Sequence, residues 1–409
     1  MENKVSIKDS FVVFKNDPKY IYLDNSASTQ KPKGIYKYIR KYINKSYTNV
    51  HRGLYKQAIY TDKLWQKAHT NVSKFINADS YKDVFFVKNT TEGINILANS
   101  LCNNLTTKDI VVISILEHHS NYIPWYILSK KIGFKLEVLG LDNDLNPDYD
   151  QLEKLYNRYG NNIKILSITH QSNVIGNIID IRKYISLAKK YNTLTIIDGA
   201  QSIAHIKIDV KDIDCDAFIF SGHKIYGPSG TGVVYVSDRL KEILNPHFYG
   251  GDMISSFDGE HLELAEFPFR YESGTPAIEA HLGLSEALDW YAKTITRLGG
   301  YDEYIQYQKQ LTKYCVDSLK KIDGVNIISS ENSFSLVSFT ILNIHPHDIC
   351  TILGDNNIAV RGGFHCAQPL HRFLNINNGS VRVSMGIYNT HEDIDIFIST
   401  LKDIIKKFN

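Results

Sequence analysis

Two stretches decide the fold: Leu194-Thr195-Ile196-Ile197-Asp198-Gly199-Ala200-Gln201 and, one short crossover later, Ala217-Phe218-Ile219-Phe220-Ser221-Gly222-His223-Lys224. Each starts as an apolar run of strand length and breaks off into small and chemically active residues. Apolar runs of this kind suit strands buried on both faces of a sheet. Working outward, similar runs stand at 83–87, 110–115, 164–168 and 232–236, with helix-period stretches at 92–101, 123–131, 149–159 and 181–191. Strand and helix in alternation predict an α/β fold with a mostly parallel sheet and right-handed crossovers. After about Phe248 the pattern becomes irregular and rich in Gly and acidic residues as far as Thr275-Pro276, and long helices are predicted over 277–296 and 301–322. The remainder reads as a smaller α+β unit: a strand at 336–342, a helix after His345-Pro346, a strand at 358–360, a Gly-rich loop at 361–365, a strand at 381–384 and a final helix at 392–407. The expected organisation is an N-terminal segment (1–24) packing on the small domain, a large domain (25–290) and a small C-terminal domain (291–409), with no repeat and no flexible linker.

Composition agrees with a large soluble globular chain. The 409 residues are 43 % hydrophobic and 22 % charged, enough to bury a core without disulfides. Lys plus Arg (46) nearly balance Asp plus Glu (44), which is against a dedicated nucleic-acid binder. No apolar run approaches the roughly 18 residues of a membrane span, and Met1 to Ser10 show no apolar core of a signal peptide. Five scattered cysteines, an odd number, make no disulfide framework and suggest a reducing compartment.

Side chains at the carboxyl ends of neighbouring parallel strands reach one crevice. Asp198 and Lys224 stand at such ends. An acid and a lysine so placed suit pyridoxal phosphate, which needs a Lys for its Schiff base and an acid to keep its pyridine nitrogen protonated. Taken singly, Asp198 also reads as a turn cap and Lys224 as a solvated loop lysine. Lys88-Asn89-Thr90-Thr91-Glu92-Gly93 follows a strand and opens a helix, an anion site for a phosphate or an ordinary N-cap. Glu117-His118-His119 follows the next strand and brings an imidazole over the same crevice, able to stack on a flat ring. In the small unit, Arg361-Gly362-Gly363-Phe364-His365-Cys366-Ala367 places a thiol on a Gly-rich loop beside a His and an Arg, which favours its nucleophilic thiolate. Cys102, Cys215, Cys315 and Cys350 read as buried and inert. His345, His347 and Cys350 lack a second ligand cluster for a metal site. Arg382 is able to clamp a carboxylate.

In this order these residues closely resemble the cysteine desulfurases, pyridoxal phosphate enzymes of the class V aminotransferase family (fold type I). The resemblance runs through Tyr22-Leu23-Asp24-Asn25-Ser26-Ala27-Ser28, Asn49-Val50-His51-Arg52-Gly53, Asn89-Thr90-Thr91-Glu92, Glu117-His118-His119 and Ser172-Asn173-Val174. It continues through Asp198-Gly199-Ala200-Gln201, Ser221-Gly222-His223-Lys224, Tyr271 to Pro276, His365-Cys366-Ala367 and Tyr388 to Glu392, covering essentially the whole chain. The Cys loop looks like the SUF-pathway (group II, SufS-type) branch. That branch usually carries a His pair before the Cys; here Phe364 replaces the first His and Gly362 the small residue after the Arg.

The resemblance implies a role for each matching position. Lys224 would bind the cofactor and later act as general base, and Cys366 would be the sulfur nucleophile. Asp198 would pair with the pyridinium, Gln201 with the phenolic oxygen, and His118 would stack on the ring. Thr91, Ser221 and His223 would hold the phosphate, joined by Thr275 of a partner subunit in a homodimer. Asn173 and Arg382 would bind the carboxylate of L-cysteine, with Arg361 beside it and Arg52 reaching across from the second subunit. The implied reaction converts L-cysteine to L-alanine and leaves a persulfide on Cys366, passed to a SufE-like or SufU-like acceptor for iron–sulfur cluster assembly. The rival readings are a selenocysteine lyase, a weakly active scaffold for an assembly partner, and an aminotransferase in which the Cys366 loop has no purpose. The expected location is cytoplasmic for a bacterial protein, or a plastid or apicoplast for a mature eukaryotic form; abundant Lys, Asn, Ile and Tyr suggest an AT-rich genome.

Overall fold

The computed structural model describes residues 7–408; the expectations that fall on residues 1–6 and 409, at the outer ends of the first and last predicted segments, lie outside them. A two-residue strand, β1 (Ile21–Tyr22), precedes the main sheet. That sheet contains β2 (Val84–Val87), β3 (Ile110–Ser114), β4 (Lys135–Leu139), β5 (Ile163–Thr169), β6 (Leu194–Asp198), β7 (Ala217–Ser221) and β8 (Gly232–Val236). Their spatial order is β2-β8-β7-β6-β5-β3-β4, with β8 antiparallel to both its neighbours and the pairs from β7 to β4 all parallel. This is the mostly parallel α/β sheet that the alternating pattern predicts.

Alternation along each strand divides the apolar side chains between two cores. Phe86, Val112, Leu166, Ile197 and Phe220 face one layer with Trp65, Tyr184 and Tyr291. Phe85, Val111, Ile165, Ile196 and Ile219 face the other, against Ile94, Leu97 and Trp125. Since both faces are covered, the strands read as continuous apolar runs. β4 departs from that pattern and the sequence reading misses it: Lys135-Leu136-Glu137-Val138-Leu139 is an edge strand whose residues before Leu139 all keep some exposure. The hairpin of β9 (Ile254–Phe257) and β10 (Leu262–Leu264) falls in the stretch read as irregular, because its side chains are mostly exposed and bury no face.

The small sheet joins β11 (Val325–Ile327), β12 (Leu336–Ile341), β14 (Arg361–Gly363) and β15 (Ser380–Ser384) in the antiparallel order β11-β12-β15-β14. β13 (Ile358–Ala359) pairs in parallel with β1. Part of the expected Gly-rich loop is therefore strand. A separate core forms here, with Ile21 and Leu23 packed among Leu311, Phe339, Val383 and Phe397.

One register has consequences for the site. Arg361 on β14 lies directly opposite Arg382 on β15, a like-charge pairing that is unfavourable by itself. Asp24, bridged to Ser384, resolves it. Its carboxylate accepts from Arg361 Nη2 at 2.8 Å and Nε at 3.1 Å, and from Arg382 Nη2 at 3.4 Å.

Two outcomes follow for unfolding experiments. Asp24→Asn leaves the buried Arg382 without its counter-charge, and removal of one partner of a buried pair costs about 3–5 kcal/mol. A clearly lower midpoint of thermal unfolding is expected, and an unchanged midpoint would show that the two guanidiniums need no acid. Gly93, on the helix Thr90–Cys102, sits where an added Cβ would lie 2.7 Å from Val234 Cγ2 and 2.9 Å from Ile219 Cγ2. Overpacking costs about 1–3 kcal/mol, more than the roughly 0.5–1 kcal/mol that Ala gains over Gly in a helix. Gly93→Ala is therefore expected to destabilise, and a raised midpoint would contradict this.

Candidate active site

The carboxyl ends of the parallel strands deliver the functional groups. β6 ends at Asp198, and β7 runs through Ser221 into a 3₁₀ turn, Gly222–Lys224. β2 leads to Asn89, whose side chain caps the helix Thr90–Cys102 by accepting from the Glu92 N–H at 2.9 Å. β3 leads to His118, which caps the helix His119–Ile132. Short polar residues favour these caps because their side chains satisfy amides the helix leaves free. The groups converge on a cavity of about 480 Å³, which Arg361, Cys366 and Arg382 close from the small sheet.

Burial sets the electrostatics. The Lys224 amine is pushed down to about 8 by burial, with Asp198 acting in the opposite direction. Burial pushes the Asp198 carboxyl up, against the Ala200 N–H, which it accepts at 2.9 Å, and the Lys224 charge. His118 is held down to about 3, first by burial and then by Lys224, so its ring is neutral. Its Nδ1 accepts the Ser120 N–H at 3.1 Å, which leaves the ring proton on Nε2. Arg382 is lowered by burial only to about 10 and keeps its charge.

The sequence points to pyridoxal phosphate, and the donor set fits it. The start of the helix Thr90–Cys102 meets Ser221, whose Oγ accepts the Thr90 N–H at 2.8 Å and lies 2.7 Å from Thr90 Oγ1. A helix N-terminus with hydroxyls is an anion cradle, and Asn89, Thr91 and His223 line the same cavity. Asp198 offers a buried carboxylate for a pyridinium, and Lys224 a half-buried, desolvated amine. Gln201 gives one amide N–H to the Ser26 carbonyl at 3.0 Å, leaving its second available. Asn173 Oδ1 and Arg382 Nε are buried without a partner in the protein. Such groups are costly to leave unpaired; the Arg382 N–H suits a ligand carboxylate, whereas Asn173 Oδ1 only accepts and suits a ligand N–H.

The Cys loop approaches from the small sheet. The Cys366 carbonyl accepts the His119 N–H at 2.8 Å, the His365 carbonyl accepts from Asn173 Nδ2 at 2.8 Å, and Arg382 Nη1 donates to the Asn173 carbonyl at 3.0 Å. Cys366 is exposed, whereas Cys215 and Cys315 are buried; Cys102 and Cys350 are half-buried rather than enclosed, as the sequence reading had expected. The Cys366 sulfur lies within electrostatic reach of Lys224 and Arg382.

Of the residues the sequence singled out, Lys224, Asp198, Gln201, His118, Thr91, Ser221, His223, Asn173, Arg361, Arg382 and Cys366 line this one cavity. Thr275 and Arg52 are exposed and do not. Arg52 Nε is 3.9 Å from Asp252, and Thr275 Oγ1 is 3.4 Å from Asn49 Nδ2. Sequence reasoning missed Thr90, the partner of Ser221, although it stands next to Thr91 in the same motif. It also gave Asp24 no role, and the arginine pair that Asp24 joins emerges only from the strand register.

Comparison with known proteins agrees with this geometry. The model of the family Aminotransferase class-V matches residues 21–397. The chain is 37 % identical to the cysteine desulfurase of Wigglesworthia glossinidia brevipalpis over 402 residues, covering 96 % of this chain and 95 % of that protein. It is 36 % identical over 388 residues to the probable cysteine desulfurase of Halalkalibacterium halodurans, covering 95 % and 93 %. Among solved structures it resembles the apo cysteine desulfurase of Thermococcus onnurineus NA1, with a TM-score of 0.92, 30 % identity and full coverage of both chains. It also resembles the cysteine desulfurase CsdA of Escherichia coli, with a TM-score of 0.89, 30 % identity and coverage of 100 % and 99 %. The family match, these relatives and the convergence of Asp198, Lys224 and Cys366 on one cavity place the chain in the class V aminotransferase family, among the cysteine desulfurases.

Proposed function

We propose that this chain takes sulfur from L-cysteine with pyridoxal phosphate bound at Lys224 and holds it as a persulfide on Cys366. The observation that carries this reading is an exposed thiol on the wall of a cavity whose opposite side presents a half-buried lysine and a buried aspartate. Ser221, His223 and the helix start at Thr90 and Thr91 would hold the phosphate. Asp198 would pair with the pyridine nitrogen and Gln201 with the phenolic oxygen, and neutral His118, with its proton on Nε2, would offer a stacking face. Bound there, the cofactor supplies an electron sink for the pair left when the Cα–H bond breaks.

The remaining work belongs to the chain. Arg382 and Asn173 hold the substrate carboxylate, with Arg361 beside it. The neutral Lys224 amine takes the Cα proton. The Cys366 thiolate attacks the substrate sulfur, and an S–S bond forms as the C–S bond breaks. The electron pair of that bond stays on the substrate carbon, which takes a proton and leaves as L-alanine. The same proton count gives Cys366 as a persulfide, so no oxidant is consumed.

The short loop from Arg361 to Cys366 and the exposed thiol support the SUF-pathway branch. There a SufE-like or SufU-like acceptor protein collects the sulfur for iron–sulfur cluster assembly. Thr275 and Arg52 stand outside the cavity and on the surface, as contributions to a second subunit's site would, which supports a homodimer. Among the described residues no helix is long and apolar enough to cross a membrane. The location proposed remains the cytoplasm of a bacterium, or a plastid or apicoplast for a mature eukaryotic form.

Alanine formed per chain from L-cysteine without reductant tests the reading directly. Native protein is expected to give about one alanine per chain before stalling, and Cys366→Ala almost none. Equal amounts from both would overturn the persulfide step and favour a lyase that does not use this thiol. Capture of the cofactor by apoprotein has its own pH dependence. Lys224 is protonated and unreactive below about 8, against an ordinary 10.5, so the capture rate should climb with pH to about 8 and level off above it. A rate still climbing towards 10.5 would show a lysine in ordinary solvent.

A further inference from the structure

His365 and Cys366 both adopt the left-handed backbone conformation, with φ of 51° and 55°, although neither is glycine. Such a turn persists only where its surroundings over-determine it. Two anchors belong to the cavity wall already described: the His119 N–H on the Cys366 carbonyl, and Asn173 on the His365 carbonyl. A third lies behind the loop and takes no part in the proposed reaction. His371, fully buried on the helix Gln368–Phe373, has Nδ1 3.0 Å from the Ala367 carbonyl and Nε2 3.0 Å from Ser380 Oγ. His365 Nε2 lies 3.0 Å from the same hydroxyl and 3.1 Å from the Ser380 carbonyl.

Carbonyl oxygens only accept, and this assigns every proton in the chain of groups. His371 carries its proton on Nδ1, so its Nε2 accepts the Ser380 hydroxyl hydrogen. His365 carries its proton on Nε2 and donates to Ser380, and its Nδ1 is bare, without a partner in the protein. Burial lowers both imidazoles and so keeps them neutral. Ser380 is held in place as the β15 residue paired with Gly363. Next to it Gly379, at φ 75°, approaches so closely that a Cβ would sit 2.6 Å from the Gly363 carbonyl carbon. Phe364 stands edge-on to His371 at 5.5 Å and 86°. The residue that departs from the expected His thus packs against this chain of groups.

We propose that His371 is a positioning residue for Cys366. By accepting the Ser380 hydroxyl hydrogen it turns that oxygen to accept from His365, whose tautomer the Ser380 carbonyl sets, and so holds the left-handed turn that brings the thiol to the cavity. The proposal rests on the reading of Cys366 as sulfur acceptor. Without His371 the buried Ser380 hydroxyl loses its acceptor, and the turn loses part of its support from the small sheet, keeping there only the His365 contact with the Ser380 carbonyl.

The test uses holoenzyme carrying His371→Phe, Ser380→Ala or His371→Gln, with two rates measured for each. One is single-turnover alanine formation, which needs Cys366. The other is exchange of the substrate Cα hydrogen with solvent, which needs Lys224 and not the thiol. His371→Phe and Ser380→Ala are expected to slow alanine formation about tenfold or more, with Cα exchange and KM for cysteine within about twofold of native. His371→Gln, which can donate to Ala367 and accept from Ser380, should recover most of the rate. Unchanged alanine formation in the first two variants would overturn the proposal. An equal loss of both rates in soluble variants would also overturn it, as the mark of a general structural role. Should His371→Phe fail to fold, the other two variants carry the same comparison. Failure of the functional reading is separately visible as alanine formation surviving Cys366→Ala in an otherwise native chain, and it would remove the basis of the proposal.

Discussion

The carboxylate of Asp24 between Arg361 and Arg382 is the contact on which the cavity depends. It joins the N-terminal segment, the strand that leads into the Cys loop and the strand behind it. Two guanidiniums directly opposite on neighbouring strands repel, and Arg382 is almost fully withdrawn from water. One acid shared between them turns that liability into a positive wall with a fixed shape. Arg382 is then free to present Nε, which has no partner in the protein, to an incoming carboxylate.

Across the cavity the large sheet solves a related problem. Asp198 is removed from solvent and Lys224 largely so, into surroundings where an isolated charge is costly. Side by side at the ends of adjacent strands each moderates the other, and burial leaves the amine near 8, where a neutral fraction exists close to neutral pH. A flexible surface loop could not hold these groups dry. The two apolar layers on either face of the sheet keep the strand ends rigid, and helix starts at Thr90 and His119 add amides directed to the same place.

Much of this was legible in the residues. The apolar runs that mark β2, β3 and β5 to β8 are continuous because both faces of those strands are covered, and burial on two sides leaves a signal that one sequence can carry. β4 and the β9–β10 hairpin were missed because they sit at edges or in solvent, where no burial constrains composition. The candidate residues were found because their chemistry is scarce: one Lys and one Asp at strand ends and one Cys in a Gly-rich loop. Thr90 was passed over for Thr91 because a helix N-terminus offers several adjacent donors and the sequence does not say which of them faces Ser221.

The sequence by itself determined the α/β class, the elements that carry chemistry, and the family to which the chain resembles in its motifs. Side-chain type and apolar period are local properties, so they can be read one segment at a time. Only the tertiary structure decided that β8 runs against its neighbours, that Arg361 falls opposite Arg382, and that Asp24 from the far end of the chain lies between them. It also decided that His365, Ser380 and His371 share their protons in one fixed direction behind the thiol. Register and hydrogen-bond direction arise from contacts between residues far apart in the chain, and no local pattern encodes them.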